Sequence, residues 1–303
     1  MTKKEVWPVM LTPFTEDGAV DYASLERLIA WYENNGVSGL FAVCQSSEMF
    51  SLSLRERVGV ARFVKEHARV PVIASGHVSA DREDQLDELR RIADAGVDAV
   101  VLISNRMAPD REGPDVWKKN LEWLLGRLPD ALPLGVYECP APYKRLLSDE
   151  ELAFCAKSGR FRFMKDTCCD LQTLARRAEI VRGTPMRLYN ANIATLLDSI
   201  KAGCDGFSGV MANFHPDLFV WLLDNYERYP EQAARLQAAL TMCALIERQC
   251  YPVNAKYHLQ RLGVFASAYS RVRAQAELSE TFKDEVRQME RLADYMRSLL
   301  PRE

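Results

Sequence analysis

The chain has 303 residues, 48% of them hydrophobic, with 39 basic and 42 acidic residues for a formal net charge of -3. That length and apolar content can bury one large α/β core or two smaller ones, and the near-balanced charge gives no reason to expect a nucleic-acid partner. No apolar run approaches the roughly 20 residues of a membrane span, and the stretch Met1 to Pro8 lacks the apolar region of a signal peptide, so a cytoplasmic protein without a membrane partner is expected.

Short apolar runs predict strands near residues 6–11, 39–44, 70–75, 98–103, 133–137, 161–165, 186–190 and 206–211. Amphipathic stretches such as 21–35 and 54–68 lie between them, and Ser53 with Glu56 and Ser148 with Glu151 have capping-box spacing. Three phrases, Asn35 to Leu40, Ala95 to Val100 and Ala202 to Phe207, share one design: a glycine that suits the left-handed end of a helix, then an apolar strand. Eight strand-helix units over about 220 residues predict a closed (β/α)8 TIM barrel rather than an open sheet. A Gly-x-Gly-x-x-Gly phrase after the first strand, the mark of a dinucleotide-binding sheet, is missing.

After Pro216 the strand pattern stops. Helices are predicted over 217–229, 231–249 and 271–299, broken at Pro230 and Pro252. The expected organisation is a barrel over 1–215 with a C-terminal helical extension over 216–303 packed on it.

In such a barrel the chemistry gathers at the carboxyl ends of the strands. Strand two ends in Cys44-Gln45-Ser46-Ser47-Glu48, whose hydroxyls and backbone N–H groups suit a carboxylate. Strand five ends in Tyr137 and strand six in Lys165; strand eight ends in Phe207-Ser208-Gly209. A lysine partly stripped of water favours its neutral amine, which can attack a carbonyl carbon. A tyrosine on the next strand, about 4.8 Å away, is placed to relay protons to the resulting imine. Taken singly, Lys165 also reads as a strand-end lysine reaching solvent or pairing with Asp166, and Tyr137 as a core tyrosine. The eight cysteines are scattered and read as reduced thiols, the vicinal Cys168-Cys169 included. His77 and His215 follow predicted strands and leave a metal-dependent site as a weaker alternative; the preferred reading needs neither metal nor cofactor.

These residues resemble the dihydrodipicolinate synthase and N-acetylneuraminate lyase superfamily of Schiff-base (β/α)8 aldolases, along nearly the whole chain. The resemblance rests on Val9-Met10-Leu11-Thr12-Pro13-Phe14, on Tyr137-Glu138-Cys139-Pro140 as a Tyr-x-x-Pro signature, on Phe163-Met164-Lys165-Asp166, and on Gly206 to Val210 ahead of Asn213 and Pro216. It implies that Lys165 condenses with pyruvate or a related 2-keto acid, that Tyr137 and Ser46 move protons, and that Gln45, Ser46 and Ser47 cradle the carboxylate. It also implies an aldehyde as second substrate or product and a homodimer or homotetramer. Departures from the family pattern fall on Cys44 and Ser47, where the family has glycines, on Pro142, where those synthases have an arginine, and on Arg106 and Met107, near the tyrosine they lend across a dimer interface. A biosynthetic synthase acting on a carboxylate-bearing amino-aldehyde is therefore disfavoured. An acceptor pocket of Asn190, Asn192 and Arg106 is expected instead, and Ser208 and Gly209, at the open end of strand eight, are expected to offer a backbone contact to the ligand. Sugar-acid dehydration by the same enamine chemistry, or a silent keto-acid-binding barrel, remain alternatives.

Overall fold

The computed structural model describes residues 3–109 and 111–301; Met1, Thr2, Asp110, Arg302 and Glu303, which include the outer ends of both expected segments, lie outside the described residues. Eight parallel strands form one sheet in the order β1-β8-β7-β6-β5-β4-β3-β2: β1 Glu5–Val6, β2 Leu40–Phe41, β3 Val72–Ala74, β4 Ala99–Ile103, β5 Leu134–Tyr137, β6 Phe161–Asp166, β7 Arg187–Asn190 and β8 Gly206–Phe207. The two ends meet. Val9 bridges Phe41 in parallel, with Met10 N–H donating to Phe41 O and Phe41 N–H to Pro8 O, both at 3.0 Å. The first strand thus pairs with β8 before Trp7 and with β2 after it, as tilted strands must in a closed barrel. The expected TIM barrel with a helical extension is what the chain forms.

Helices alternate with the strands: α1 Tyr22–Asn34, α2 Leu54–His67, α3 Arg82–Ala93, the short α4 Ser104–Met107, α5 Pro114–Leu125, α6 Asp149–Lys157, α7 Leu171–Val181 and α8 Leu196–Lys201. Both capping boxes form, at Ser53 with Glu56 and at Ser148 with Glu151. Gly36, Gly96 and Gly203 take φ of 79°, 84° and 112°, the left-handed backbone that lets each helix stop and the chain turn into a strand.

Beyond β8 come α9 Pro216–Asn225, which packs on β1, then α10 Pro230–Cys243, α11 Val253–Arg261 and α12 Glu280–Leu299. Pro230 opens α10 rather than breaking a helix, because the first helical position needs no N–H. α10 gives way to a 3-10 turn, Ala244–Arg248, before the expected end at 249. α11 has no counterpart in the sequence reading. Its buried face includes Asn254, Lys256 and His258 beside Val253, Ala255 and Leu259, so polar residues point inward and blur the apolar period. The last helix starts at Glu280, capped by Ser279, not at 271. One hydrophobic core runs from the barrel through Leu236, Leu259 and Val286, so the tail is part of the same packed body.

Candidate active site

Tyr137 and Lys165 are direct partners in the β5–β6 ladder. In a parallel sheet, paired residues project from the same face, so both side chains enter the barrel mouth together. The Lys165 amine lies over the Tyr137 ring, 4.5 Å from its centroid. Two residues earlier on the same face of β6, Phe163 forms an aromatic floor: it stacks on Tyr189 at 4.5 Å and meets Trp7 at 5.5 Å and Phe41 at 5.8 Å. Phe41 also meets the Tyr137 ring edge-on at 5.7 Å.

An amine standing on this floor loses water, and burial lowers the pKa of Lys165 below the ordinary lysine value. Only 5% of the residue is exposed. Burial likewise raises the Tyr137 phenol well above its usual range, with the Cys139 thiol hydrogen-bonded beside it, so the phenol is kept protonated. Asp166 is not the lysine's partner: it and Glu138 are both bound by Arg177, the Glu138 contact at 2.8 Å. Glu138 also accepts from Leu147 N–H at 2.8 Å and Thr167 N–H at 2.9 Å. The residue after each reactive side chain points away from the mouth, and one buried guanidinium ties the two strand ends together.

Above the lysine is a cavity of about 410 Å³. Lys165, Tyr137, Ser46, Gln45 and Gly209 line it, as do Thr167 and the apolar side chains of Phe50, Pro140 and Val210. The Gln45 amide oxygen accepts from Ala141 N–H at 3.2 Å and Cys139 Sγ at 3.3 Å, which fixes it across the mouth. Gly209 is a packing requirement, since a Cβ there would come within 2.4 Å of the Phe207 ring.

The loop after β2 folds without the family's glycines. Cys44 is extended at φ -149°, open to any residue, and Ser47 is buried with its hydroxyl donating to Met10 O at 2.7 Å and Ala42 O at 2.9 Å. Left-handed backbone falls on Glu48 instead, at φ 58°. Its carboxylate is held by Lys256, by Ser270 Oγ at 3.0 Å and by Arg271 N–H at 2.7 Å, contacts that offset the strain.

Five expected site residues, Ser47, Asn190, Asn192, Ser208 and Arg106, are not among the cavity lining. Ser47 is committed to the loop as described, its own N–H donating to Cys44 O at 3.1 Å. Asn190 is saturated by Thr195 Oγ1 and Ser199 Oγ, both at 3.0 Å, and by Asn192 N–H at 2.7 Å, so it shapes the turn after β7. Ser208 is fully buried and its N–H continues the ladder to Asn190 O. Arg106 lines a separate cavity of about 370 Å³ with Asn105 and Tyr143. The acceptor pocket of Asn190, Asn192 and Arg106 is therefore corrected: the two asparagines are spent on the turn after β7, and the Arg106 guanidinium lies over the Phe50 ring, 5.7 Å from its centroid, outside the lining. His77 accepts from Ile103 N–H at 2.6 Å and His215 stacks on Phe219, and burial depresses both to a pKa of about 3.

Two ionisable residues of the mouth escaped sequence reasoning, Glu247 and Tyr251, as did the hydroxyl of Thr167. Tyr251 hydrogen-bonds Ser46 and accepts from Asn213 Nδ2 at 3.3 Å. Glu247 is pushed up to about 7 by burial, against the opposing pull of Lys165. Both come from the segment between α10 and α11, which read as a helix end and a proline break.

Over residues 2–291 the sequence matches the model of the Dihydrodipicolinate synthetase family. The chain belongs to that family. It is 30% identical over 217 residues to the 4-hydroxy-tetrahydrodipicolinate synthase of Haloarcula marismortui, covering 70% of this chain and 68% of that protein. The synthase of Methanothrix thermoacetophila is 26% identical over 263 residues, 84% of this chain and 86% of that one. In structure it is similar to the dihydrodipicolinate synthase of Acinetobacter baumannii complexed with pyruvate, with a TM-score of 0.85 at 22% identity over 97% of this chain and 99% of that one. A prophage protein of the dihydrodipicolinic acid synthase family from E. coli K12, in complex with pyruvate, gives 0.83 at 22% identity over 97% and 98%. A dihydrodipicolinate synthetase family member is a lyase of the Schiff-base aldolase type, and the carbon–carbon lyase reading stands ahead of the dehydratase and the silent barrel. Among the described residues no helix is long and apolar enough to cross a membrane.

Proposed function

We propose that this family member joins pyruvate or a related 2-keto acid to an aldehyde, or splits the product of that union, through a Schiff base on Lys165. The observation that carries the reading is the Lys165 amine, deprived of water and lying over the Tyr137 ring inside a cavity. The amine adds to the ketone carbon, and the carbinolamine loses water to give an iminium. Tyr137, held protonated by burial, gives the departing hydroxyl its proton and recovers one when water returns. Loss of a proton next to the iminium gives an enamine, the carbon nucleophile. Ser46 and Gln45 border this end of the cavity, and their N–H groups open a 3-10 turn with no earlier acceptor inside it, which suits the keto-acid carboxylate.

The second substrate differs from that of a synthase acting on an acidic aldehyde. In the loop after Tyr137, Pro142 brings no charge, Lys144 faces solvent, and Arg145 is bound to Glu151 at 2.7 Å. The division into a barrel over 1–215 and an extension over 216–303 belongs to this reading, because the extension supplies one wall of the cavity. We place the enzyme in the cytoplasm, in keeping with eight free cysteines, as a homodimer or homotetramer.

Borohydride added to protein and pyruvate tests the proposal. The expected result is a mass increase of one reduced pyruvyl group, mapped by peptide mass spectrometry to Lys165 and absent in Lys165→Ala. An unmodified wild-type protein under the same conditions overturns it.

A further inference from the structure

A second wall of the cavity comes from the segment between α10 and α11, and among the described residues its carboxyl, Glu247, has neither a hydrogen bond nor an ion pair. The other carboxylate at the mouth, Glu48, is bound by Lys256, Ser270 and the backbone of Arg271 and Val272. Glu247 has none of this: burial and the charge of Lys165 across the cavity are the influences acting on it. Among the described residues, the other titratable groups of the lining are Glu48, already bound, and the Tyr137 and Tyr251 phenols, both raised by burial. Among the described residues, no lining residue apart from Lys165 is cationic. The surface around Glu247 is otherwise apolar, with Phe50, Pro140, Ala141, Val210, Pro252 and Val272.

We infer that Glu247 is a second acid/base of the reaction, serving the oxygen of the aldehyde half, and that this half is an uncharged aldehyde. The inference rests on the Schiff-base reading above and deepens it. In condensation the enamine carbon on Lys165 attacks the aldehyde carbon and a carbon–carbon bond forms. The carbonyl electron pair moves to the aldehyde oxygen, which takes the proton of the Glu247 carboxyl and becomes a hydroxyl. Water then hydrolyses the iminium, freeing the amine and the hydroxylated keto acid. In cleavage the Glu247 carboxylate takes that hydroxyl proton, the same bond breaks, and its electrons pass to the iminium nitrogen.

A carboxyl that ionises near neutral pH gives and takes a proton at little cost in either direction. A second carboxylate brought beside it, with no free cation in the lining, would meet an unpaired like charge. The wall therefore selects against acidic aldehydes by repulsion as well as by lacking a counter-ion.

The test separates the two halves of the reaction in Glu247→Gln, with Glu247→Asp as the conservative control. Trapping of pyruvate on Lys165 and exchange of the pyruvate methyl protons in deuterium oxide report the first half; failure of trapping in the wild type would sink the Schiff-base reading itself. Given trapping, Glu247→Gln is expected to retain both trapping and exchange. Its kcat for condensation with propionaldehyde, benzaldehyde or glyceraldehyde should fall by about 10²- to 10⁴-fold, with part of the loss restored in Glu247→Asp. Wild type should prefer these aldehydes to succinic semialdehyde, and Glu247→Gln should narrow that preference. Condensation by Glu247→Gln at the wild-type rate, equal loss of exchange and condensation, or a wild type that turns over succinic semialdehyde but no neutral aldehyde, each overturns the inference.

Discussion

The two walls of the cavity are built by different means. One is made of adjacent strands: Tyr137 and Lys165 are neighbours because the β5–β6 register makes them so, and Arg177 binds the residue after each. The other is a 3-10 turn and loop from the tail, where Glu247 and Tyr251 owe their positions to packing of α10 and α11 on the barrel. Ladder hydrogen bonds fix the first wall wherever the barrel forms. Substitution can reshape the second without touching the lysine. On this reading the Schiff-base chemistry belongs to the strand wall, and partner choice, with the proton for the aldehyde oxygen, to the tail wall.

The sharpest way to break this division is on the strand side. Tyr137→Phe keeps the aromatic ring under the amine but removes the hydroxyl; kcat is expected to fall by about 10²- to 10⁴-fold, read by steady-state kinetics, while slow trapping on Lys165 survives. If turnover is unchanged, the phenol is only a packing residue. Arg177→Met should come next, because it strands the buried carboxylates of Glu138 and Asp166. A loss of about 3–5 kcal/mol in unfolding free energy is expected from urea denaturation. Adding Glu138→Gln and Asp166→Asn should return much of it.

The smallest effect is a pH slope from the tail wall. Unfolded, the Glu247 carboxyl ionises near 4.5, but in the folded protein it does so at about 7. Between those values the native state holds a proton that unfolding releases, so the stabilisation present below pH 4.5 is lost as pH rises through 7. Denaturation midpoints measured from pH 4 to 8 should show this decline, and Glu247→Gln should flatten it. Identical slopes in both proteins would show that the carboxyl is not held back by its surroundings.

The same division explains what could be read from the sequence. Lys165 and Tyr137 close short apolar runs, and in a parallel barrel the end of a strand is by topology the mouth of the site. The Tyr-x-x-Pro phrase and the lysine run therefore pointed to the same place as the strand pattern. Glu247 sits in what reads as the polar face of an amphipathic helix, and Tyr251 beside a proline break; neither has a local signal for the inward turn it makes. An aromatic residue directly before that proline was the one available hint. Asn190 and Arg106 failed for the converse reason: polar residues after a strand are as often spent on closing a loop as on a ligand, and the Asn190 amide does so with Thr195 and Ser199. α11 was hidden by its own buried lysine and histidine.

Glu48 has a wider consequence. Its left-handed backbone kinks the rim of the barrel at the residue whose carboxylate the tail grips through Lys256, Ser270 and the amides of Arg271 and Val272. The lip that borders the keto-acid end is thus moored to the segment that follows the aldehyde end. Drift in the tail can enlarge or recolour the partner pocket only while this mooring holds, so the route to new partners is a narrow one: the apolar side chains around Glu247 can vary, while the carboxyl itself and the rope that ties its segment down cannot.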